Sequence, residues 1–188
     1  LIQALDELNY HTLTPIQRSA IPAVRKGKDV LASAQTGTGK TAAFALPIIQ
    51  KLTESELSTS NAPHALVLAP TRELAEQIAN NFKAYAKHTA LKVVSLFGGV
   101  NTAGQANALK DGVDVVVATP GRLLDHIRLG NLSLASVKHL VLDEADRMLD
   151  MGFIEDMQSV IKSCDEQRQI LLFSATFPAA IKQFAAKV

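Results

Sequence analysis

The stretch AQTGTGKT, residues 34–41, decides the fold of this chain. A β-branched run comes before it, and an apolar segment of helical spacing, residues 42–52, comes after it. Strand, glycine-rich turn and helix in this order are typical of a phosphate-binding loop. Gly37 and Gly39 let the backbone wrap a phosphate closely, so that N–H groups and the helix N-terminus face it. We expect nucleotide phosphates to bind Ala34, Gln35, Thr36, Gly37, Thr38, Gly39, Lys40 and Thr41.

Lys40 and Thr41 carry the specific chemistry predicted for this loop. Lys40 reaches the β- and γ-phosphates as a point charge and is a candidate catalytic residue, and Thr41 offers its hydroxyl to Mg²⁺. The strict pattern has glycine where Ala34 stands. A flexible turn that caps a helix is therefore the alternative when the stretch is taken alone.

Short β-branched runs recur along the chain and alternate with segments of helical spacing. The runs are continuously apolar, which is what a strand covered on both faces requires. We predict an α/β fold in which helices sandwich a parallel sheet. The predicted strands are residues 29–33, 65–69, 92–96, 114–118, 139–143 and 169–174, and the clearest helices are residues 40–52, 71–87 and 121–129. Residues 53–63 are polar and are predicted to form a solvated loop.

Composition restricts the class of protein. The 188 residues, 47% of them hydrophobic, suffice for one core and are too few for two domains. A formal charge of +1 gives no global field for a polyanion, so nucleic-acid contacts must be local. A single cysteine, Cys164, excludes an internal disulfide, and the histidines show no metal-ligand spacing and are interpreted as surface or edge residues. Neither a signal pattern nor an apolar stretch of about 18 residues occurs, so we expect a cytoplasmic protein without membrane contact.

The apolar run of residues 139–142 ends in Asp143-Glu144-Ala145-Asp146. Carboxylates at the end of a parallel strand lie on the ligand side of the sheet, beside the phosphate loop. We expect Asp143 to hold Mg²⁺, partly through water, and Glu144 to deprotonate the attacking water. The alternative is an acidic N-cap on the next helix, to which Asp146 would contribute.

The same four residues spell the signature of the DEAD-box RNA helicases, and the chain resembles the first RecA-like domain of that family over nearly its whole length. Further matches follow in the family's order: residues 34–41, residues 70–75, Gly98-Gly99, residues 119–122 and Ser174-Ala175-Thr176. The resemblance implies that residues 1–188 are one RecA-like P-loop NTPase domain of an ATP-dependent RNA helicase, with ATP and Mg²⁺ as ligands. Residues 147–153 resemble the bacterial RhlE-like branch.

Upstream residues resemble the family's Q motif. Gln17 has an amide that can read both edge groups of adenine, and the resemblance assigns it that role together with Tyr10 and Thr14. The family usually has glycine at position 9 and proline at position 13, where this chain has Asn9 and Leu13, so we expect weakened adenine affinity. The alternative is an exposed Gln17 on a helix that begins with proline.

Three motifs each follow a predicted strand and therefore share one edge of the sheet. They can hold the sugar-phosphate backbone of RNA through hydroxyls, helix N-termini and arginines, without reading bases. The expected contacts are Pro70, Thr71, Arg72, Gly98, Gly99, Thr119, Pro120, Gly121 and Arg122. Taken singly, each motif could equally be helix capping.

Ser174 and Thr176 close the last predicted strand beside the acidic turn. The resemblance implies that their hydroxyls bond to Asp146 and couple the ATP state to unwinding of RNA. The alternative is a turn in which the hydroxyls cap the helix that begins near Pro178.

The resemblance also implies a second RecA-like domain in the same protein. Such a domain supplies the arginine finger that phosphoryl transfer needs, so we expect residues 1–188 to be an excised, monomeric domain that hydrolyses ATP very slowly. Two other classes stay open from the residues: a general P-loop ATPase or DNA motor, and a non-catalytic RNA clamp.

Overall fold

Six parallel strands form a single sheet in the computed structural model, which describes residues 1–55 and 61–188. The strands are β1 (Val30–Ser33), β2 (Ala65–Leu68), β3 (Val93–Leu96), β4 (Val115–Ala118), β5 (His139–Leu142) and β6 (Gln169–Ser174). Each lies within one residue of its predicted bounds at either end. The predicted α/β fold with a parallel sheet is therefore confirmed.

The strand order is β1-β6-β5-β2-β4-β3, and every neighbouring pair is parallel. Ser33 at the end of β1 stands opposite Ser174, and Leu68 at the end of β2 stands opposite both Leu142 and Ala118. The carboxyl ends of all six strands consequently meet along one edge, where ligands of open α/β sheets bind.

Helices cover both faces of the sheet. Within the described ranges they are α1 (Ile2–Glu7), α2 (Pro15–Arg25), α3 (Lys40–Glu54), α4 (Arg72–Tyr85), α5 (Thr102–Lys110), α6 (Pro120–Arg128), α7 (Ala145–Asp150), α8 (Ile154–Ser163) and α9 (Ala179–Ala185). The predicted loop at residues 53–63 is wrong at its start, because Thr53 and Glu54 continue α3 and the Thr53 hydroxyl bonds back to the carbonyl of Ile49. Residues 56–60 of that prediction lie outside the described residues.

Two apolar layers separate the sheet from its helices. Along β2, Val67 faces the layer that contains Phe44 of α3 and Phe82 of α4, whereas Leu66 and Leu68 face the opposite layer. The ring of Phe44 lies 5.4 Å from that of Phe173 and 6.2 Å from that of Phe82. Burial of one such ring stabilises the fold by about 2 kcal/mol, and here it fixes α3 directly behind the phosphate loop.

Two local predictions fail for reasons of position. Leu31 of β1 is 56% exposed because β1 is the outer strand of the sheet, so this strand is not covered on both faces as predicted. His126 is fully buried on α6, not a surface or edge residue. Cys164 is a buried free thiol, and burial raises its pKa to about 12. None of the helices within residues 1–55 and 61–188 is long and apolar enough to cross a membrane.

Candidate functional site

Lys40 and Asp143 meet at the carboxyl edge of the sheet. Lys40 begins α3 after β1, and Asp143 follows β5, two strands away. The Lys40 ammonium lies 2.9 Å from Asp143 Oδ1 and 3.8 Å from Glu144 Oε1. The glycine loop and the acidic turn thus converge on one point, which joins the three candidate catalytic residues.

Asp143 is fully buried, and one of its two carboxylate oxygens has no hydrogen-bond partner among the described residues. Its Oδ1 accepts hydrogen bonds from Lys40 and from the backbone N–H of Glu144, while its Oδ2 is buried and accepts none from any described residue. Burial raises the pKa of Asp143, and the charge of Lys40 opposes that rise. A hard divalent cation prefers an oxygen of this kind. The residues therefore fit Mg²⁺, which Asp143 and Thr41 would hold. Within the described residues no group of three or more acidic, histidine or cysteine side chains could hold the ion alone, so phosphate oxygens would have to complete its ligands.

Glu144 is held in an unusual backbone conformation. Its φ is +51°, in the left-handed region that residues with a side chain rarely adopt. The side chain makes no capping hydrogen bond to α7, the helix that it precedes, and its carboxylate lies 3.5 Å from Arg147 and 3.8 Å from Lys40. Strain of this kind costs about 1 kcal/mol or more and concentrates at functional sites. Capping of α7, the alternative interpretation, does not describe this carboxylate.

Gly39 shapes the phosphate loop through a close approach. Gly37 and Gly39 have φ of +82° and +81°. A Cβ on Gly39 would lie 2.6 Å from Gln17 Nε2 and 3.1 Å from the Thr14 side chain, whereas a Cβ on Gly37 would meet nothing within 4 Å. Within the loop, the Thr38 hydroxyl donates to the carbonyl of Gln35 at 2.6 Å, and Ala34 donates its N–H to Ser174. Gln35, Thr36 and Gly37 are exposed toward solvent.

Gln17 is buried against this loop, so its interpretation as an ordinary exposed residue is wrong. The side-chain oxygen accepts from Thr14 N–H at 3.0 Å, and Nε2 donates to the carbonyl of Gly39 at 3.1 Å. Thr14 in turn accepts from Gln17 N–H, which completes a capping box at the start of α2. The amide therefore ties α2 to the phosphate loop and keeps one N–H and one lone pair for a ligand.

Tyr10 stands near the loop but faces α4. Its hydroxyl lies 3.4 Å from that of Tyr85, and the two rings are 5.9 Å apart. Both rings line a cavity of about 210 Å³ that also contains Gln17, Lys40 and Thr41. Sequence reasoning missed the α4 side of this cavity, namely Leu74, Gln77, Asn81 and Tyr85. Their helical spacing of three or four residues was the available signal.

Asp146 joins α7 to the segment after β6. Its Oδ2 accepts from the backbone N–H of Thr176 at 3.0 Å and from the Thr176 hydroxyl at 2.8 Å. Burial raises the pKa of Asp146, but these hydrogen bonds outweigh it and leave the pKa below its ordinary value. The Ser174 hydroxyl donates to the carbonyl of Thr176 at 2.6 Å, and it contributes less than Thr176 to the lowered pKa of Asp146. Neither hydroxyl caps α9.

The expected RNA contacts lie along the other half of the same edge. Residues 70–72 follow β2, residues 98 and 99 follow β3, and residues 119–122 follow β4. Arg72, Gly98, Gly99 and Gly121 are exposed, and the Arg72 guanidinium lies 5.0 Å from the centre of the Phe97 ring. The Thr71 hydroxyl oxygen accepts from the N–H of Leu74 at 3.3 Å, so this residue does cap α4.

Arg122 and Pro120 are less accessible than expected. Pro120 is buried, and the Arg122 side chain is only 15% exposed. Arg122 donates to the carbonyl of Val100 at 3.1 Å and to Gln105 Oε1 at 3.2 Å. Gln105, which sequence reasoning missed, is buried beside His126. A polar residue on a weakly amphipathic helix carries no sequence signal for a partner on another helix.

Comparisons with known proteins agree on one family. A family model described as "DEAD/DEAH box helicase" matches residues 14–184. The "ATP-dependent RNA helicase DeaD" of Escherichia coli K12 is 49% identical over all 188 residues, and that of Mycobacterium tuberculosis H37Rv is 46% identical. These relatives bear the name DeaD, and the RhlE-like branch stays a prediction. The chain spans 29% and 33% of the length of these two relatives.

Solved structures give the same result for the fold. A DEAD box protein from Methanococcus jannaschii superposes with a TM-score of 0.90 at 41% identity, covering 99% of this chain and 50% of that one. A hypothetical ATP-dependent RNA helicase from Sulfolobus tokodaii gives a TM-score of 0.89 at 37% identity, covering 99% of this chain and 53% of that one. The likeness extends over the whole sheet and both helical layers.

Proposed function

Because the chain belongs to the DEAD/DEAH box helicase family, we propose that it is the nucleotide-binding motor domain of an ATP-dependent RNA helicase. The observation that carries the proposal is the 2.9 Å contact between Lys40 and Asp143. It brings a lysine at the start of a helix and a buried carboxylate to one point beside an exposed glycine loop. A triphosphate with a bound cation needs this combination of charges.

The proposed chemistry is hydrolysis of the γ-phosphate by water. Lys40 exchanges its contact with Asp143 for the β- and γ-phosphates, and the loop N–H groups of residues 35–39 bind phosphate oxygens. Glu144 accepts a proton from the attacking water as the new P–O bond forms and the bond to ADP breaks. Mg²⁺, held by Thr41 and Asp143, would neutralise charge on the phosphate oxygens. Gln17, with Thr14 and Tyr10 beside it, is the proposed adenine site.

RNA is the proposed second ligand, bound along the ends of β2, β4 and β3. Arg72 supplies charge, and Thr71 and Thr119 are the residues directly before helices α4 and α6. The exposed Gly98 and Gly99 allow close approach of a sugar-phosphate chain. Contacts of this kind are independent of base sequence. Coupling between the two halves of the edge is proposed to run through Asp146, Ser174 and Thr176. Asp146 belongs to the acidic turn, and its carboxylate accepts from Thr176 in the segment that follows β6.

Unwinding is proposed for the whole protein, of which this chain is the first RecA-like domain. The relatives are three times as long, and a second RecA-like domain in the same protein would supply the arginine finger. The proposal includes a cytoplasmic monomer of the RhlE-like branch. The branch rests on residues 147–153.

The test measures ATP hydrolysis by the complete protein with RNA, with DNA and without nucleic acid. RNA-specific stimulation supports the proposal, whereas equal stimulation by DNA supports a general motor instead. Glu144→Gln should keep nucleotide binding and abolish turnover, and Glu155→Gln on the exposed side of α8 is the charge-matched control with normal turnover. Full turnover in Glu144→Gln would refute the assignment of the general base, and absence of hydrolysis in the unmodified protein would favour an RNA clamp.

A further inference from the structure

The loop of residues 97–101 connects β3 to α5 and carries the exposed Gly98 and Gly99. Side chains of α5 and α6 donate hydrogen bonds to its backbone on either side of the two glycines. Gln105 Nε2 donates to the carbonyl of Phe97 at 2.9 Å, and Arg122 Nη1 donates to the carbonyl of Val100 at 3.1 Å. The exposed residues 98–100 are thereby held in place by side chains that are themselves largely buried.

Gln105 is the centre of this network. Its Oε1 accepts from Arg122 Nη1 at 3.2 Å and lies 3.0 Å from His126 Nε2. His126 Nδ1 lies 3.2 Å from Asn131 Nδ2. Because Asn131 Nδ2 can only donate, the pattern assigns the ring hydrogen of His126 to Nε2, which then donates to Gln105. Burial lowers the pKa of His126 and keeps the ring neutral in this arrangement.

The network serves the loop more than the core. Gln105 is 8% exposed and His126 is 0% exposed, where leucine would pack without any need for partners. Both polar atoms of the Gln105 amide and both ring nitrogens of His126 have a hydrogen-bond partner, and the chain of bonds ends on two loop carbonyls. Buried polar networks of this type rigidify the segment that they hold.

Arg122 differs from Arg72 in its surroundings. The Arg122 guanidinium contacts the Val100 carbonyl and Gln105 and lies 3.9 Å from Asp125. Arg72 is exposed, and its Nη1 would lie 3.2 Å from a Cβ on Gly99. Arg72 is thus accessible to a phosphate, whereas the guanidinium of Arg122 is already hydrogen-bonded to protein atoms.

We infer that Gln105, His126 and Arg122 are positioning residues that fix the loop of residues 97–101 in the conformation that binds RNA, and that Arg122 acts on this loop instead of on a phosphate. The inference rests on the proposed function, because it assigns a binding role to this loop.

The experiment measures RNA affinity of the complete protein, with a non-hydrolysable ATP analogue, over a series of salt concentrations. His126→Leu should weaken RNA binding about tenfold, equivalent to one lost buried hydrogen bond, and leave affinity for the analogue unchanged. His126→Gln, which can donate to Gln105 and accept from Asn131, should restore most of the affinity. A parallel loss of affinity for the analogue would indicate a merely structural role and overturn the inference.

Salt dependence separates positioning from direct phosphate contact. Arg122→Gln should weaken binding but keep the slope of log affinity against log salt, whereas Arg72→Gln should reduce that slope by about 0.7, the value for one phosphate on a single strand. Arg128→Gln is the control, since it removes a charge from the exposed face of the same helix. A slope reduced by Arg122→Gln would overturn its positioning role.

Amide hydrogen exchange of residues 98–100 provides a readout without RNA. Faster exchange confined to this loop in His126→Leu and Arg122→Gln supports the inference, and unchanged exchange overturns it even if His126→Leu folds poorly, because the Arg122 variant retains the packed ring. Failure of the unmodified protein to bind RNA would instead count against the proposed function.

Discussion

At the scale of single residues, Lys40 and Asp143 depend on each other. Removal of one partner leaves a buried charge without compensation. We predict that Lys40→Met lowers the free energy of unfolding by about 3 kcal/mol at neutral pH, and by clearly less when Asp143→Asn is already present. Chemical denaturation of the four proteins of this cycle measures the coupling.

A surface pair in the same protein is the control for that cycle. Lys87 and Glu7 lie 2.8 Å apart, nearly the distance of the Lys40–Asp143 pair, but their side chains are 62% and 40% exposed. Lys87→Met should lower the free energy of unfolding far less than Lys40→Met, because water screens the exposed pair. Equal losses for Lys40→Met and Lys87→Met would contradict a buried, coupled pair at the candidate site.

His126 predicts a dependence of stability on pH. Burial, followed by the charge of Arg122, lowers its pKa below the ordinary value of 6.5. The unfolded chain therefore binds the proton first, so this residue's contribution is complete above pH 6.5 and is lost as the pH falls below it. Titration of unfolding free energy from pH 7.5 to 5.5 should be flatter in His126→Gln than in the unmodified chain, and identical slopes would exclude this contribution.

At the scale of elements, the turn before α3 distinguishes its two glycines. Both have positive φ, but only Gly39 has no room for a Cβ, because Gln17 Nε2 would lie 2.6 Å away. Gly37→Ala should cost about 1 kcal/mol from the left-handed backbone alone. Gly39→Ala should cost more and also weaken binding of ATP, since α2 must move from the loop. Thermal unfolding and calorimetric titration with ATP measure both effects, and similar results for the two variants would contradict the close approach.

The hydrogen bonds between Asp146 of α7 and Thr176, which follows β6, predict that the isosteric change of threonine to valine has a measurable effect. Thr176→Val keeps the backbone bond to Asp146 and loses the hydroxyl bond at 2.8 Å. We predict a loss of about 1 kcal/mol in stability and a higher pKa of Asp146 by NMR titration. In the complete protein, hydrolysis of ATP should persist while duplex unwinding declines. Unwinding that keeps pace with hydrolysis would remove Thr176 from the coupling path.

The strands were the most predictable elements, because continuous apolar runs such as residues 115–118 leave few alternatives to a buried parallel strand. The convergence of Lys40 on Asp143 followed from topology, since both residues come after strands of one parallel sheet. The bond from Gln17 to Gly39 did not, although Thr14 and Gln17 have the spacing of a capping box. Gln105 and His126 could not be found from local pattern, because their partnership exists only after α5 and α6 pack.

At the scale of the whole molecule, we predict that residues 1–188 alone bind ATP with Mg²⁺ weakly and turn it over very slowly. An arginine finger contributes about 10³ to 10⁵ in rate, and the proposal places it in the second domain. Single-turnover hydrolysis by this chain and by the complete protein, each with RNA, measures the difference. Comparable RNA-stimulated rates would show that the chain supplies every catalytic group itself.

The pairing of β1 with β6 has a consequence for the order in which the protein matures. Val30 stands opposite Leu171, and among the described strands β1 has no other neighbour. A ribosome that makes this chain emits the glycine turn of residues 34–41 well before β6, the strand that must support β1. Nascent chains that end before residue 169 should therefore be unable to retain ATP, and nucleotide binding should first appear in chains that include β6.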